Sequence, residues 1–171
     1  MRYRLWQFWQ IVRAKPLTTA AWAEVTAVLT PAELQLFRRF PVNDQWHSVR
    51  VLRLVQASGS TEPALWKAAL LHDVGKTQVR LTVWDRVVIV VGGMLWPGKS
   101  AVWGKGDARG WQRPFVAKAQ HPAWGAAMAE TAGCDSLTVT LIRRHQDNPA
   151  NITEPELKEL LRILQWADDQ S

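Results

Sequence analysis

Residues 63–76, PALWKAALLHDVGK, constrain this chain more than any other stretch, because they set a histidine and an aspartate side by side at the end of an apolar helical run. Leu65, Ala68, Ala69 and His72 fall at i, i+3, i+4 and i+7, so the histidine lies on the row that a helix turns toward the core. Gly75 follows where a helix would stop in a left-handed turn. An imidazole and a carboxylate at an inward-facing helix end lose hydration, and a partner must replace it. A hydrogen-bonded pair would serve, and so would a divalent metal.

The rest of the histidine inventory bears on that choice. The chain has four: His47, His72, His121 and His145. A helix capped near Asn43 or Asp44 and ended by Ser58-Gly59-Ser60 aligns His47 with Val51 and Leu54. Pro63 opens the helix of His72 and Asp73, and His121-Pro122 opens another, with His121 heading a row through Gly125, Met128 and Ala132. Gly133 closes that helix and Ser136 caps the next, where Thr138, Leu141, Ile142 and His145 share one face. The last helix carries a capping box, Thr153 with Glu156, and a stripe of Leu157, Leu160, Leu161 and Leu164. Asp168 continues that stripe, whereas Asp169 falls on the polar side with Arg162 and Gln165. Any one of these polar residues could be a packed core group. All four histidines and two carboxylates on apolar faces of five helices are hard to explain by packing, and helix bundles build carboxylate and histidine metal sites in this way.

Elsewhere the sequence bounds rather than identifies. A length of 171 residues suffices for one domain with a core. Residues 1–40 read as a helical cap on the same globule as 42–171, with a stripe of Leu5, Phe8, Trp9 and Val12, a segment Ala21 to Leu29, and a helix opened by Pro31. The run Val87 to Val91 suits a buried strand or a helix entered through Thr82, and the helical neighbours favour the helix. Pro97 to Arg113 reads as a loop rich in glycine and charge, either disordered or a lid that brings Lys99, Lys105 and Arg109 to an anionic substrate. The most apolar run, Val87 to Trp96, is ten residues long and cannot span a bilayer. No secretory leader is expected, and a single cysteine, Cys134, excludes an intramolecular disulfide and a thiolate-rich zinc site, which suits a cytoplasmic setting. A net charge of +6 points to an anionic partner: a phosphorylated small molecule, a nucleic acid or an acidic membrane surface. No DNA or RNA motif is present. The eleven tryptophans serve mainly packing, with one or two free to stack on a base.

The ordered set His47, His72-Asp73, His121, His145 and Asp168 resembles the HD-domain superfamily of metal-dependent phosphohydrolases, over roughly residues 42 to 169. The resemblance implies an all-α, compact helical bundle with metal ligands from several helices. It assigns His47, His72, Asp73 and Asp168 to one divalent ion and His121 and His145 to a second, with Asp73 bridging. The run His121-Pro122-Ala123-Trp124-Gly125-Ala126 is similar to the His-Pro segment of the binuclear branches, and Lys76 matches a family lysine that faces phosphate. Gln146-Asp147-Asn148-Pro149 after His145 departs from the Gly-Tyr-Pro segment of the HD-GYP cyclic-di-GMP phosphodiesterases. The spacing, with Ala167-Asp168, is closer to the branch that hydrolyses diadenosine tetraphosphate.

The implied reaction is hydrolysis of a phosphate ester or anhydride of a nucleotide-like substrate. Its water would be activated by two ions of manganese, iron, cobalt or zinc, with Asp73 and Lys76 as catalytic residues. Arg143 and Arg144 either join Lys76 at the phosphoryl oxygens or form a solvated helix edge. Three other readings stay open: a di-iron oxygenase with the same six ligands, a non-catalytic nucleotide-binding sensor, and a P-loop NTPase. The last rests on Gly93-Met94-Leu95-Trp96-Pro97-Gly98-Lys99-Ser100, a phosphate-loop pattern that follows a β-branched run.

Overall fold

A computed structural model describes residues 15–79 and 82–171, and every regular element among them is helical, as the all-α expectation requires. The stripe of Leu5, Phe8, Trp9 and Val12 lies outside the described residues. Nine α-helices are described: α1 (Thr19–Val28), α2 (Pro31–Phe37), α3 (Val42–Ala57), α4 (Pro63–Leu71), α5 (Val83–Leu95), α6 (Pro97–Trp103), α7 (Arg113–Thr131), α8 (Ser136–Arg144) and α9 (Pro155–Gln170).

The most buried of them is α4, because six of its nine residues are alanine or leucine and Lys67 is its one charged side chain. Leu65, Ala68, Ala69, Leu70 and Leu71 are fully buried, and α1, α2, α3, α8 and α9 all pack around the helix. Charge enters this core once in a paired form. Glu33, in the capping box of α2 with Thr30, is fully buried and accepts from Lys67 of α4 at 2.7 Å. Burial and the Glu33 carboxylate push the neighbouring Cys134 thiol up to about 12, so it stays protonated.

Several helix ends differ from those expected. Helix α3 begins at Val42 behind Pro41, which leaves Asp44 in the first turn rather than at the cap. Helix α7 begins at Arg113-Pro114 and runs through Pro122. Asp135, not Ser136, caps α8 by accepting from the Thr138 amide at 2.8 Å. Thr153 forms no capping box, because Pro155 takes the first turn of α9 and Glu154 the cap position. Gly75 is not left-handed: it lies in a 3₁₀ turn, Val74–Gln78, wedged against α7. A Cβ there would stand 2.0 Å from the His121 carbonyl oxygen and 2.6 Å from the Gly125 nitrogen, so close backbone approach requires the glycine.

The ambiguous β-branched run is helix α5, nucleated by a capping box in which Thr82 and Asp85 exchange bonds of 2.7 and 3.2 Å. That overturns the P-loop reading, since the run before Gly93 is helix rather than strand and Lys99 sits inside α6 rather than in a phosphate cradle. The long loop expected at 97–113 is overturned as well. Pro97 starts α6, and Gly104 ends it where a Cβ would meet the Ala119 Cβ at 2.7 Å. The Gln120 side chain then ties down the Gly104 and Gly106 carbonyls at 3.1 and 3.3 Å. Gly104 thus marks close packing against α7 rather than looseness.

Candidate metal centre

Five helices and the turn after one of them bring side chains to one point. His47 projects from α3, His72 ends α4, Asp73 begins the turn after it, His121 sits in mid α7, His145 ends α8, and Asp168 lies in the last turns of α9. They divide into two groups, His47 with His72 and Asp168, and Asp73 with His121 and His145, whose ligand atoms lie within 4.8 Å of one another in each group. Asp73 joins the two. Its Oδ2 is 3.6 Å from His72 Nε2 and 4.0 Å from His47 Nε2, while Oδ1 is 3.3 Å from His121 Nε2 and 3.8 Å from His145 Nε2. Asp168 Oδ1 stands 2.9 Å from His47 Nε2 and 3.5 Å from His72 Nε2.

Each imidazole is aimed by the bond its other nitrogen makes. His72 Nδ1 donates to the Ala69 carbonyl at 3.1 Å and His145 Nδ1 to the Ile142 carbonyl at 2.7 Å. His121 Nδ1 donates to the carbonyls of Ala117 and Lys118, both at 3.0 Å. Pro122 explains the second acceptor: it has no N–H to give the Lys118 carbonyl four residues back, so the imidazole takes that oxygen instead. His47 Nδ1 meets Ser171 Oγ at 2.7 Å, and because that hydroxyl donates to the Asp168 carbonyl at 2.9 Å, it accepts from the histidine. In their neutral forms all four rings therefore hold their proton at Nδ1 and turn a lone pair at Nε2 inward.

That donor set fits a cation. His72 Nε2 is buried without a hydrogen-bond partner, and His121 Nε2 faces His145 Nε2 at 3.2 Å, lone pair toward lone pair. Facing lone pairs and an orphaned buried nitrogen are unfavourable unless a positive charge lies among them. Ionisation agrees. Burial works to raise the Asp73 carboxyl, but the charges of His72 and Lys76 and the bond from His121 hold it well below the usual carboxylate range. Against the same penalty, His47 and His72 lower Asp168. Burial and the His72 charge push His145 down to about 3, which keeps it neutral. Mixed imidazole and carboxylate donors suit manganese, iron, cobalt or zinc better than magnesium.

A family model for the HD domain matches residues 46–170. The chain belongs to the HD-domain family. Proteins of this family are generally metal-dependent phosphohydrolases that bind divalent ions. No curated protein and no solved structure matches the chain.

Within this HD domain, Lys76 is the only one of the sequence's candidate phosphate-binding residues that touches the cluster among the described residues, donating to Asp73 Oδ2 at 2.5 Å. Lys99, Lys105, Arg109 and Arg143 are exposed, and Arg144 is occupied by Asp147 at 2.9 Å. The sequence reading missed Ser171 and Gly75, which hold the cluster's geometry without being part of it. Ser171 lies one turn beyond Asp168 and so shares its face, a periodic signal that could have found it. Gly75 carried no such signal, since the same residue type suits a turn. Among the described residues no helix is long and apolar enough to cross a membrane.

Proposed function

We propose that this HD-domain protein hydrolyses a phosphate ester or anhydride of a nucleotide-like substrate at a centre for two divalent ions, held by His47, His72, Asp73, His121, His145 and Asp168. The observation that carries the reading is the division of the Asp73 carboxylate, one oxygen toward each three-residue group. A carboxylate divided in this way would offer one donor oxygen to an ion in each group. Divalent ions, when bound, supply Lewis acidity toward phosphoryl oxygens and lower the pKa of water.

The chain's own residues do the rest. Nδ1 bonds from His47, His72, His121 and His145 fix each ring before any ligand arrives, so little reorganisation accompanies binding. Asp73 and Asp168 stay ionised and His145 neutral, so protons compete weakly for these positions. Lys76, with 38% of its side chain exposed, holds an ammonium at the rim, where it would meet a non-bridging phosphoryl oxygen. By resemblance, Ala167-Asp168 and the segment after His145 favour a dinucleoside polyphosphate over a cyclic dinucleotide. Residues 1–40 would act as a helical cap on the catalytic unit of 42–171.

Elemental analysis of the purified protein, followed by a panel of phosphate mono- and diesters, nucleotides and dinucleoside polyphosphates under each metal, tests the proposal. Two equivalents of metal and turnover of a phosphorylated nucleotide are expected, and Asp73→Ala should abolish both together. Retention of metal and turnover by Asp73→Ala would overturn it, as would oxygen consumption by an iron-loaded sample that releases no phosphate.

A further inference from the structure

Helix α5 carries its apolar residues on the outside. Trp84, Val87, Val88, Val91, Met94 and Leu95 fall at i, i+3, i+4, i+7, i+10 and i+11, the spacing of one helical face. All six are exposed, from 42% at Val91 to 78% at Trp84. The opposite face is the one that packs. Gly92 lies against the Phe115 ring of α7, where a Cβ would stand 2.6 Å from Cζ, and Asp85 binds Arg113 at 2.7 Å. The register is therefore held by contacts that leave the apolar face outward. Exposed apolar surface continues onto Trp96, Val102 and Trp111. Contiguous surface of this kind marks a docking site.

Charge says what docks there. Residues 82–118 hold six basic and two acidic side chains, a net +4 out of the chain's +6. Lys99, Lys105, Arg109 and Lys118 are exposed, yet none lies on the apolar face itself. Cations beside a charge-free apolar face, with tryptophans at its ends, match the layers of a membrane interface: acyl chains inside, anionic headgroups around them. A second copy fits poorly, since its own +4 would be brought against this one. A protein partner would also want hydrogen bonds, about one per 100–200 Å², and among the described side chains this apolar face offers only the indole N–H groups of its tryptophans.

We propose that the outer face of α5, with α6 and the turn after it, docks on the surface of an anionic lipid bilayer. Trp84, Val88, Val91 and Leu95 enter the headgroup boundary while Lys99, Lys105 and Arg109 face the phosphates. Nothing in the proposal depends on the metal centre.

The test is co-sedimentation of the full chain with vesicles of phosphatidylcholine alone or with about 30 mol% phosphatidylglycerol, the anionic component that polybasic surfaces read. Binding to the anionic vesicles is expected to exceed that to neutral ones by about tenfold and to fall as salt rises. Brominated acyl chains should quench part of the tryptophan emission. Val88→Glu with Met94→Glu should abolish sedimentation and quenching with the circular dichroism unchanged, and Lys99→Gln, Lys105→Gln and Arg109→Gln together should remove the preference for anionic lipid. Failure of the full chain to bind anionic vesicles would overturn the proposal, as would undiminished binding by the double glutamate variant. A dimer that this variant dissolves, in a protein that ignores vesicles, would give the face to a second copy and overturn it too.

Discussion

Along α7 the chain meets two kinds of neighbour, and they break opposite rules. Around His121 and Gly125, α8 and the 3₁₀ turn bury histidines and an aspartate with only backbone carbonyls to aim the rings. Around Phe115, α5 and α6 hold valines, a methionine and tryptophans in the open. The first region forgoes hydration of polar groups, and the second leaves apolar area wet. Both violations lie on well-formed helices, so neither is a failure of local structure. The difference teaches that each region calls for a complement outside the chain, and the readings proposed above supply a cation in one case and an apolar surface in the other.

The sharpest way to break that comparison is to make the same truncation on both sides. Leu141 of α8 is fully buried, and Leu95 of α5 is 56% exposed. Leu141→Ala should cost about 2–5 kcal/mol of unfolding free energy, because it leaves a cavity in a packed core. Leu95→Ala should stay within about 0.5 kcal/mol, as a surface change does. Urea denaturation of both variants checks this. A large loss for Leu95→Ala would mean that α5 is already covered in solution, and the contrast would vanish.

A smaller effect probes the seam where the His-Asp turn is held to α7. Gly75→Ala forces a methyl group onto the His121 carbonyl and the Gly125 nitrogen, both backbone atoms that cannot rotate aside. Overpacking of this kind should cost about 3 kcal/mol. It should also lower metal stoichiometry, since the turn that carries Asp73 is displaced from His121. Melting temperature and elemental analysis read the two consequences separately. Gly133→Ala is the control for loss of glycine alone, as it has a φ of +83° but nothing within 4 Å of its Cβ.

The residues at issue show what a linear reading could and could not see. Helical phase placed His72, His121 and His145 inside, and it could do so because each shares a row with leucine, isoleucine or alanine. Phase also separated Asp168 from Asp169, which is exposed. Glycine was the weak point. Gly75, Gly92 and Gly104 each accommodate a close neighbour from α7, and nothing local distinguishes that role from a turn or a mobile loop. A linear reading therefore makes α6 a loop and draws Lys99, Lys105 and Arg109 toward a substrate, whereas none of the three bonds to the cluster among the described residues. Periodicity likewise groups Trp84, Val88 and Leu95 on one face without saying what covers it. Helix ends shifted where a proline or a neighbouring acid outcompeted the expected cap, as Asp135 does Ser136.

The finest test is Ser171→Ala, which acts on the cluster at one atom removed. Ser171 Oγ is the side-chain partner of His47 Nδ1, whereas the other three rings lean on backbone carbonyls that no substitution removes. Without the hydroxyl, His47 can exchange its proton between nitrogens and turn Nε2–H toward the site, where it would donate to Asp168 rather than present a lone pair. Loss of such a supporting bond typically weakens metal affinity by 10- to 100-fold, and His47, being only half-buried, has water at hand to replace part of it. A fall of about tenfold is therefore expected for the ion held by His47, His72 and Asp168, with the affinity at Asp73, His121 and His145 unchanged. Competitive chelator titration, read as two separate steps, would show the first step moving alone. If both steps moved together, the two groups would be one cooperative site rather than neighbours joined through Asp73. If neither moved, Nδ1 of His47 would be oriented by α3 packing and not by the hydroxyl.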